Sequence, residues 1–157
     1  SRFKRGIYLS AVRAYLFNLV LAKRIEQGNW NHIVDGELCI LDGSNSVFVH
    51  DNTDDSIQKR CAQFDIHPSG PLCGRGTSLS IAQAADIEAD ALSEHVELMQ
   101  GLEKAGVTLA RRALRALPNQ LQWQWLDHKT LQLSFRLRRG VYATSLLAEL
   151  AQISQAG

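Results

Sequence analysis

Residues 131–150 run from a strand through a glycine corner into a helix, and this order restricts the folds open to the chain. Between residues 131 and 138 apolar and polar side chains alternate, as in a strand with one buried face. After Gly140 the apolar residues recur at helical spacing, and Thr144 or Ser145 can bond backbone N–H groups of the first turn. An Arg-Arg-Gly corner before a helix N-terminus combines cationic side chains with backbone donors, which suits a phosphate or another anion.

The residues just before this segment predict a partner for its strand. Tryptophan and glutamine alternate over residues 121–126, and the Asp-His-Lys turn at 127–129 returns the chain. We therefore predict an antiparallel hairpin of residues 121–126 with 130–137. Trp123 and Trp125 are predicted to be core or cross-strand partners, which is a commoner role for such side chains than a platform for base stacking.

The remainder of the chain predicts an α+β fold. Apolar residues at helical spacing predict helices near residues 8–27, 54–64, 80–100 and 108–116. Two short apolar runs, 37–41 and 47–50, flank an Asp-Gly-Ser-Asn turn and predict a second hairpin. The glycine-rich stretch 67–78 lacks the spacing of a phosphate-binding loop, so we interpret it as a loop that leads into the helix near Ser80.

Charge is segregated along the chain, although the net charge is only +1. Residues 35–104 hold four Lys and Arg against thirteen Asp and Glu, whereas the two ends together hold thirteen against three. Basic ends around an acidic middle predict one side that faces a polyanion. The alternative is ordinary surface charge that solvates separate faces.

Other features of the composition exclude several classes of protein. No apolar run is long enough to span a membrane and no signal-peptide pattern opens the chain, so we expect a soluble, cytoplasmic protein. The three cysteines lack C-x-x-C spacing and are expected to be reduced, buried thiols. The five histidines are scattered singly, so no metal site is expected.

The C-terminal segment has the motif F-x-L-x-x-G-x-[FY]-A-T-x-x-x-x-E-[LI], formed by Phe135, Leu137, Gly140, Tyr142, Ala143, Thr144, Glu149 and Leu150. This motif resembles one of the TruD family of tRNA pseudouridine synthases. The N-terminal helix is matched by Arg5, Ser10, Ala11, Arg13, Phe17, Asn18, Ala22 and Arg24. Arg138, Val141 and Ala148 depart from the family pattern, which usually has proline, serine and arginine there. Looser matches, to V-x-D-G and G-P-L-x-G segments, extend the resemblance over nearly the whole chain.

The resemblance implies an activity and a division into domains. TruD-type enzymes isomerise a uridine of tRNA, at the uridine-13 site, to pseudouridine without a metal or an organic cofactor. They use an aspartate in a G-x-K-D motif, which does not occur in this sequence. No catalytic residue is therefore assigned in this chain, and the nucleophilic aspartate is expected upstream. We expect residues 1–118 to form most of the family's inserted domain, and residues 119–157 to form the C-terminal hairpin and helix of the catalytic α/β domain.

The resemblance also implies which residues face tRNA. Gly140, Tyr142, Ala143 and Thr144 would form one wall of the active site, with the Tyr142 ring packed on the target base. Contacts with RNA phosphates are expected from Arg5, Arg13, Arg24, Arg136, Arg138 and Arg139. Two alternative functions are a non-catalytic RNA-binding module and a helical protein-interaction domain that uses the acidic middle helix. The sequence does not indicate an oligomeric state.

Overall fold

The protein is described by a computed structural model for residues 2–44, 46–50, 56–138 and 140–151, with only the backbone described at Arg2. The chain divides into two compact units, Ser1–Arg115 and Ala116–Gly157. The first unit combines helices with a four-stranded antiparallel sheet, and the second has a two-stranded hairpin followed by a helix. The fold is therefore a mixture of helices and strands, as the predicted α+β class requires.

Helix α1 (Arg2–Glu26) confirms the predicted N-terminal helix and begins six residues earlier than expected. The helix ends because Gly28 adopts a φ of 69°, which a residue without Cβ tolerates. The N–H of Gly28 then donates to the carbonyl oxygen of Ile25 and the N–H of Asn29 to that of Arg24. These two bonds form a Schellman motif, which satisfies carbonyl groups that the helix end would leave without partners.

The sheet of the first unit has the strand order β2-β1-β3-β4, with antiparallel neighbours throughout. Strands β1 (Leu38–Leu41) and β2 (Val47–Val49) form the predicted hairpin, with Cys39 opposite Phe48. Helix α2 (Ser56–Ala62) follows, close to the predicted 54–64, and residues 54 and 55 of that prediction lie outside the described residues.

Strand β3 (Ile66–Leu72) corrects the prediction of a loop over residues 67–78. Its sequence IHPSGPL contains two prolines and a glycine, which locally disfavour a strand. Pairing with β1 on one side and β4 on the other overrides that preference and buries the strand almost completely. At Gly70 a Cβ would lie 3.0 Å from Cδ2 of Leu114 and 3.1 Å from the ring of Phe17, so a larger residue there would require these side chains to shift. The loop prediction holds only for the residues after Leu72.

Strand β4 (Ala110–Ala113) corrects the prediction of a helix over residues 108–116. Alanine and arginine favour a helix in isolation, but the segment pairs with β3 in the register Ser69 to Ala113 and Leu72 to Ala110. The side chain of Arg111 donates from Nε to Ser69 Oγ at 3.0 Å and from Nη2 to the Ser69 carbonyl at 2.7 Å. The extended conformation places the Arg111 guanidinium against Ser69, and the two hydrogen bonds hold Arg111 to β3.

The predicted helix over residues 80–100 is present but interrupted. It consists of α3 (Ala82–Leu92), a turn of 3-10 helix (Ser93–His95) and α4 (Val96–Lys104). Not all acidic side chains of this helix are solvated, because the Glu88 carboxylate lies 2.8 Å from Nη1 of Arg111 and is largely buried. Asp90 also pairs with Lys23 of α1 at 2.5 Å. Through these ion pairs, Glu88 and Asp90 connect α3 to β4 and to α1.

Two buried clusters form most of the described core of the first unit. One contains Leu16, Val20, Cys73, Leu92 and Leu102, and the other contains Ile33, Cys39, Ile57, Cys61 and Ile66. The three cysteines are free and buried, as predicted. Burial, with a smaller contribution from Glu37, raises the pKa of Cys39 to about 12, and burial also raises the pKa values of Cys61 and Cys73. All three side chains are therefore unreactive thiols at neutral pH.

The second unit confirms the predicted C-terminal hairpin and helix. Strand β5 (Asn119–Trp125) pairs with β6 (Leu131–Arg136), and α5 (Ala143–Leu150) follows. At the turn, the Asp127 carboxylate accepts hydrogen bonds from the backbone N–H groups of Lys129 and Thr130. Hydrogen bonding to Lys129 is the main cause that lowers the pKa of Asp127. No helix in the described ranges is long and apolar enough to cross a membrane.

Candidate nucleic-acid interface

The corner between β6 and α5 holds the residues predicted to line an active site. Gly140 has a φ of 91°, and the N–H of Val141 donates to the carbonyl oxygen of Arg138 at 3.1 Å. This turn places Tyr142 immediately before the first residue of α5. The carbonyl oxygen of Tyr142 accepts from the N–H groups of Ser145 and Leu146, which starts the helix. The side chain of the N-cap residue Tyr142 makes no capping hydrogen bond, and the hydrogen bonding suggested for Thr144 or Ser145 stays a prediction.

The predicted wall residues are all exposed on the second unit. The side chain of Tyr142 is 71% exposed, and Gly140, Ala143 and Thr144 are exposed beside it. A tyrosine ring held at a helix start, with its face open, can stack on a planar base. The corner therefore has the geometry that the sequence predicted, while the role of these residues stays a prediction.

The predicted arginines of the second unit lie close in sequence to this corner. Arg136 ends β6 and is exposed, and Arg138 is exposed two residues later. Arg139 lies outside the described residues. Both described arginines therefore present their side chains to solvent, where a phosphate could approach them.

In the first unit, Arg5 and Arg13 are both directed to the segment that joins α4 and β4. Arg5 is exposed and donates from Nη2 to the carbonyl oxygen of Ala105 at 3.2 Å. Arg13 is half-buried and donates from Nη2 to the carbonyl oxygens of Leu72 and Thr108 at 3.0 and 2.9 Å. Burial is the main cause that lowers the pKa of Arg13. Arg5 is thus the more accessible cation, and Arg13 is largely held by backbone groups.

Arg24 cannot contact RNA in this fold, and the prediction that it does is corrected. Its side chain is only 3% exposed, and its Nη1 lies 2.7 Å from Oε2 of Glu37, which is fully buried. Its Nε donates to Asn29 Oδ1, and its Nη2 donates to the carbonyl oxygens of Asn29 and His32. The guanidinium therefore closes the end of α1 onto the sheet, and Arg24 cannot belong to an RNA-facing surface with Arg5 and Arg13.

Arg112 is a further cation of the first unit that was not among the arginines predicted to contact RNA phosphates. It belongs to β4, and its guanidinium carbon lies 5.4 Å from the centre of the Phe17 ring. Its positive charge contributes, after burial, to the lowered pKa of Arg13. The Arg-Arg pair at 111–112 was visible in the sequence, but only the strand assigns its two side chains to opposite faces.

The hairpin of the second unit has one apolar and one polar face. Trp123 pairs with Leu133 and Trp125 with Leu131 across the strands, which confirms their predicted cross-strand pairing. Trp123 and Trp125 are nevertheless 66% and 61% exposed. Neighbouring exposed apolar side chains of this kind are typical of surfaces that contact another part of a protein or a partner.

No described group of His, Cys, Asp or Glu side chains has the arrangement of a metal site. The buried carboxylate of Glu37 is committed to Arg24, and burial raises its pKa against the opposing effect of that guanidinium. The predicted site residues that remain accessible are arginines and a tyrosine, which could bind a polyanion.

A model of the family described as tRNA pseudouridine synthase D (TruD) matches residues 3–150. The chain belongs to the TruD family. Within the family, it is 49% identical over 156 residues to the tRNA pseudouridine synthase D of Xanthomonas axonopodis pv. citri, covering 98% of this chain and 42% of that protein. The corresponding protein of Hydrogenovibrio crunogenus is 40% identical over 152 residues, covering 97% of this chain and 44% of that protein.

A solved structure shows the same fold. A candidate tRNA pseudouridine synthase D (TruD) from Methanosarcina mazei aligns with a TM-score of 0.60 and 22% identity, over 87% of this chain and 36% of that chain. The chain thus spans less than half the length of these TruD relatives.

Proposed function

We propose that this chain is part of a tRNA pseudouridine synthase that isomerises uridine, at the uridine-13 site of tRNA, to pseudouridine. The observation that carries the proposal is the family match over residues 3–150, which includes both terminal motifs. The reaction detaches uracil from the ribose, turns it over and rejoins it through carbon. It needs a carboxylate nucleophile and a flipped-out base, and it needs no metal or organic cofactor.

The domain assignment extends this proposal. Residues 1–118 would be most of the inserted domain, and residues 119–157 would be the C-terminal hairpin and helix of the catalytic domain. The division of the chain at Arg115 and Ala116, three residues from the proposed boundary, supports this assignment. So does the uncovered apolar face of the hairpin, which the remainder of a catalytic domain would bury.

The role assigned to this chain is to bind and orient tRNA. Gly140, Tyr142, Ala143 and Thr144 would line the active site, and Arg5, Arg136, Arg138 and Arg139 would contact phosphates. Arg13 would contribute mainly by holding the loop beneath Arg5. The nucleophilic aspartate would belong to a segment that the longer relatives have and this chain does not match, and the enzyme would act in the cytoplasm.

Of the two alternatives, a non-catalytic RNA-binding module describes what this chain would do by itself. The protein-interaction alternative is less well supported, because Glu88 and Asp90 of the acidic helix pair with Arg111 and Lys23 of the same unit. Those carboxylates are therefore partly neutralised before any partner arrives.

The salt dependence of tRNA binding tests the proposed RNA-facing surface. Removing one cation that touches a phosphate should reduce the slope of log K against log salt concentration by about 0.7–0.9. We expect Arg5→Gln and Arg136→Gln each to reduce the slope, measured by filter binding of labelled tRNA. Lys23→Gln is the matched control, because Lys23 pairs with Asp90, and it should leave the slope unchanged. Equal slopes in all variants would remove Arg5 and Arg136 from the interface.

A further inference from the structure

The end of helix α2 keeps an aromatic side chain where the backbone favours glycine. Phe64 has a φ of 63°, and its N–H donates to the carbonyl oxygen of Cys61 while that of Asp65 donates to Arg60. This is the same Schellman motif that ends α1, where Gly28 occupies the corresponding position. Non-glycine residues are strained in this conformation, and glycine would relieve the strain. The presence of phenylalanine at this position therefore indicates that its ring has a function.

The Phe64 ring is paired with a guanidinium that the fold holds rigidly. The guanidinium carbon of Arg115 lies 4.7 Å from the ring centre. Arg115 Nε donates to Nδ1 of the buried His67 at 2.8 Å, and its Nη2 donates to the carbonyl oxygens of Cys61 and Ile66. The planar cation is thereby fixed over an aromatic ring that is itself 45% exposed.

These two side chains line a surface pocket of about 300 Å³ in the first unit. Trp30 provides a second aromatic wall and is 37% exposed. Asn31 and His32 add polar groups to the lining, whereas the Gln58 side chain there is already hydrogen-bonded to the N–H and the carbonyl oxygen of Ile33. Ligand pockets usually measure about 300–1,000 Å³, so this one suits a single ring system and is too small for a dinucleotide.

We infer that this pocket binds one unpaired nucleobase of the RNA, separately from the Tyr142 corner. The inference rests on the proposed function, because it takes RNA to be the ligand of the chain. Every nucleobase has a π-face that stacks on aromatic rings and on arginine, and amide or imidazole groups can bond its edge. An aliphatic ligand would leave the polar lining unpaired, and an isolated anion would gain nothing from Trp30 and Phe64.

Binding of short RNA to variants of the whole chain tests the inference. The probes are a labelled single-stranded oligoribonucleotide of mixed sequence and a blunt RNA duplex of equal length. We expect Phe64→Gly and Trp30→Ala each to weaken binding of the single strand by about 5- to 150-fold, which is the range for removing one stacked base. Phe64→Tyr keeps the ring and should bind like the wild type. Phe64→Gly suits its backbone, and circular dichroism checks that it folds.

Three comparisons make the outcome decisive. Neither variant removes a charge, so the salt slope should stay at the wild-type value while the affinity falls. Binding of the duplex should be unchanged, since it offers no unpaired base. Leu79→Ala removes an exposed apolar side chain outside the pocket and should have no effect.

If the wild type binds RNA in a salt-dependent manner and the Phe64 and Trp30 variants bind equally well, the pocket assignment is overturned and the proposed function stands. If the wild type binds neither probe, both are overturned. An equal loss of duplex and single-strand binding would also contradict a base-specific pocket.

Discussion

Replacing Arg24 by alanine is expected to lower the free energy of unfolding of this chain by about 3–5 kcal/mol. The reason is the environment of Glu37, whose carboxylate is fully buried and 2.7 Å from the Arg24 guanidinium. Without Arg24 that charge would have only the N–H of Ser69, at 3.3 Å, as a described hydrogen-bond donor. Urea unfolding followed by circular dichroism measures the effect.

The pH dependence gives this prediction a second readout. Burial raises the pKa of Glu37, and the guanidinium of Arg24 opposes that rise. Removing Arg24 therefore raises the folded-state pKa further above its unfolded value of about 4.5. An acid with a raised folded pKa loses stability as pH rises through the interval between these two values. The deficit of Arg24→Ala should thus be smallest below the unfolded pKa and grow toward neutral pH.

Matched variants separate this effect from a general loss of charge. Lys23→Ala removes the adjacent cation, whose pair with Asp90 is exposed, and should change the stability far less than Arg24→Ala. Replacing Arg24 and Glu37 together by methionine should cost less than Arg24→Ala, because no buried charge is left. A variant Arg24→Ala as stable as Lys23→Ala at neutral pH would contradict the structural role of Arg24.

Replacing Tyr142 by alanine in the protein extended to the full length of its relatives is expected to reduce turnover on tRNA by a factor on the order of 10². The exposed ring at the start of α5 would hold the flipped base, and without it the reacting atoms are misplaced. Binding of tRNA should be largely retained, because phosphate contacts dominate the affinity.

Tyr142→Phe is the matched control for this prediction. It retains the ring and removes only the hydroxyl, so its turnover should stay near that of the wild type if stacking is the role of the residue. Single-turnover kinetics at saturating enzyme separates the chemical step from binding. Wild-type turnover in Tyr142→Ala would assign the ring to packing within the catalytic domain.

The sequence predicted those elements whose signals are local. Helix α1 has a long apolar periodicity and a glycine stop, and both hairpins have alternating strands around turn residues. Strands β3 and β4 were mispredicted because their conformation depends on each other, through pairs such as Gly70 with Arg112 that are far apart in the chain. Local propensity alone cannot reveal such a pairing.

The sequence likewise predicted only those parts of the candidate site that adjacent residues form. The corner at Gly140 and Tyr142 is formed by adjacent residues, so a motif could locate it. Arg24 was misassigned because its partner Glu37 lies thirteen residues later and is brought to it only by the fold. The pocket at Trp30, Phe64 and Arg115 combines three separated segments, and no pattern in the sequence joins them.

The most direct test of the proposed function is the conversion of uridine to pseudouridine in tRNA, measured for two forms of the protein. One form is the isolated chain of 157 residues, and the other is extended to the length of its relatives, where the G-x-K-D segment is expected. We expect conversion at the uridine-13 site by the longer form and none by the isolated chain, because an aspartate elsewhere is not positioned at the glycosidic bond. Turnover by the isolated chain, or a longer form that binds tRNA without modifying it, would contradict the proposed function.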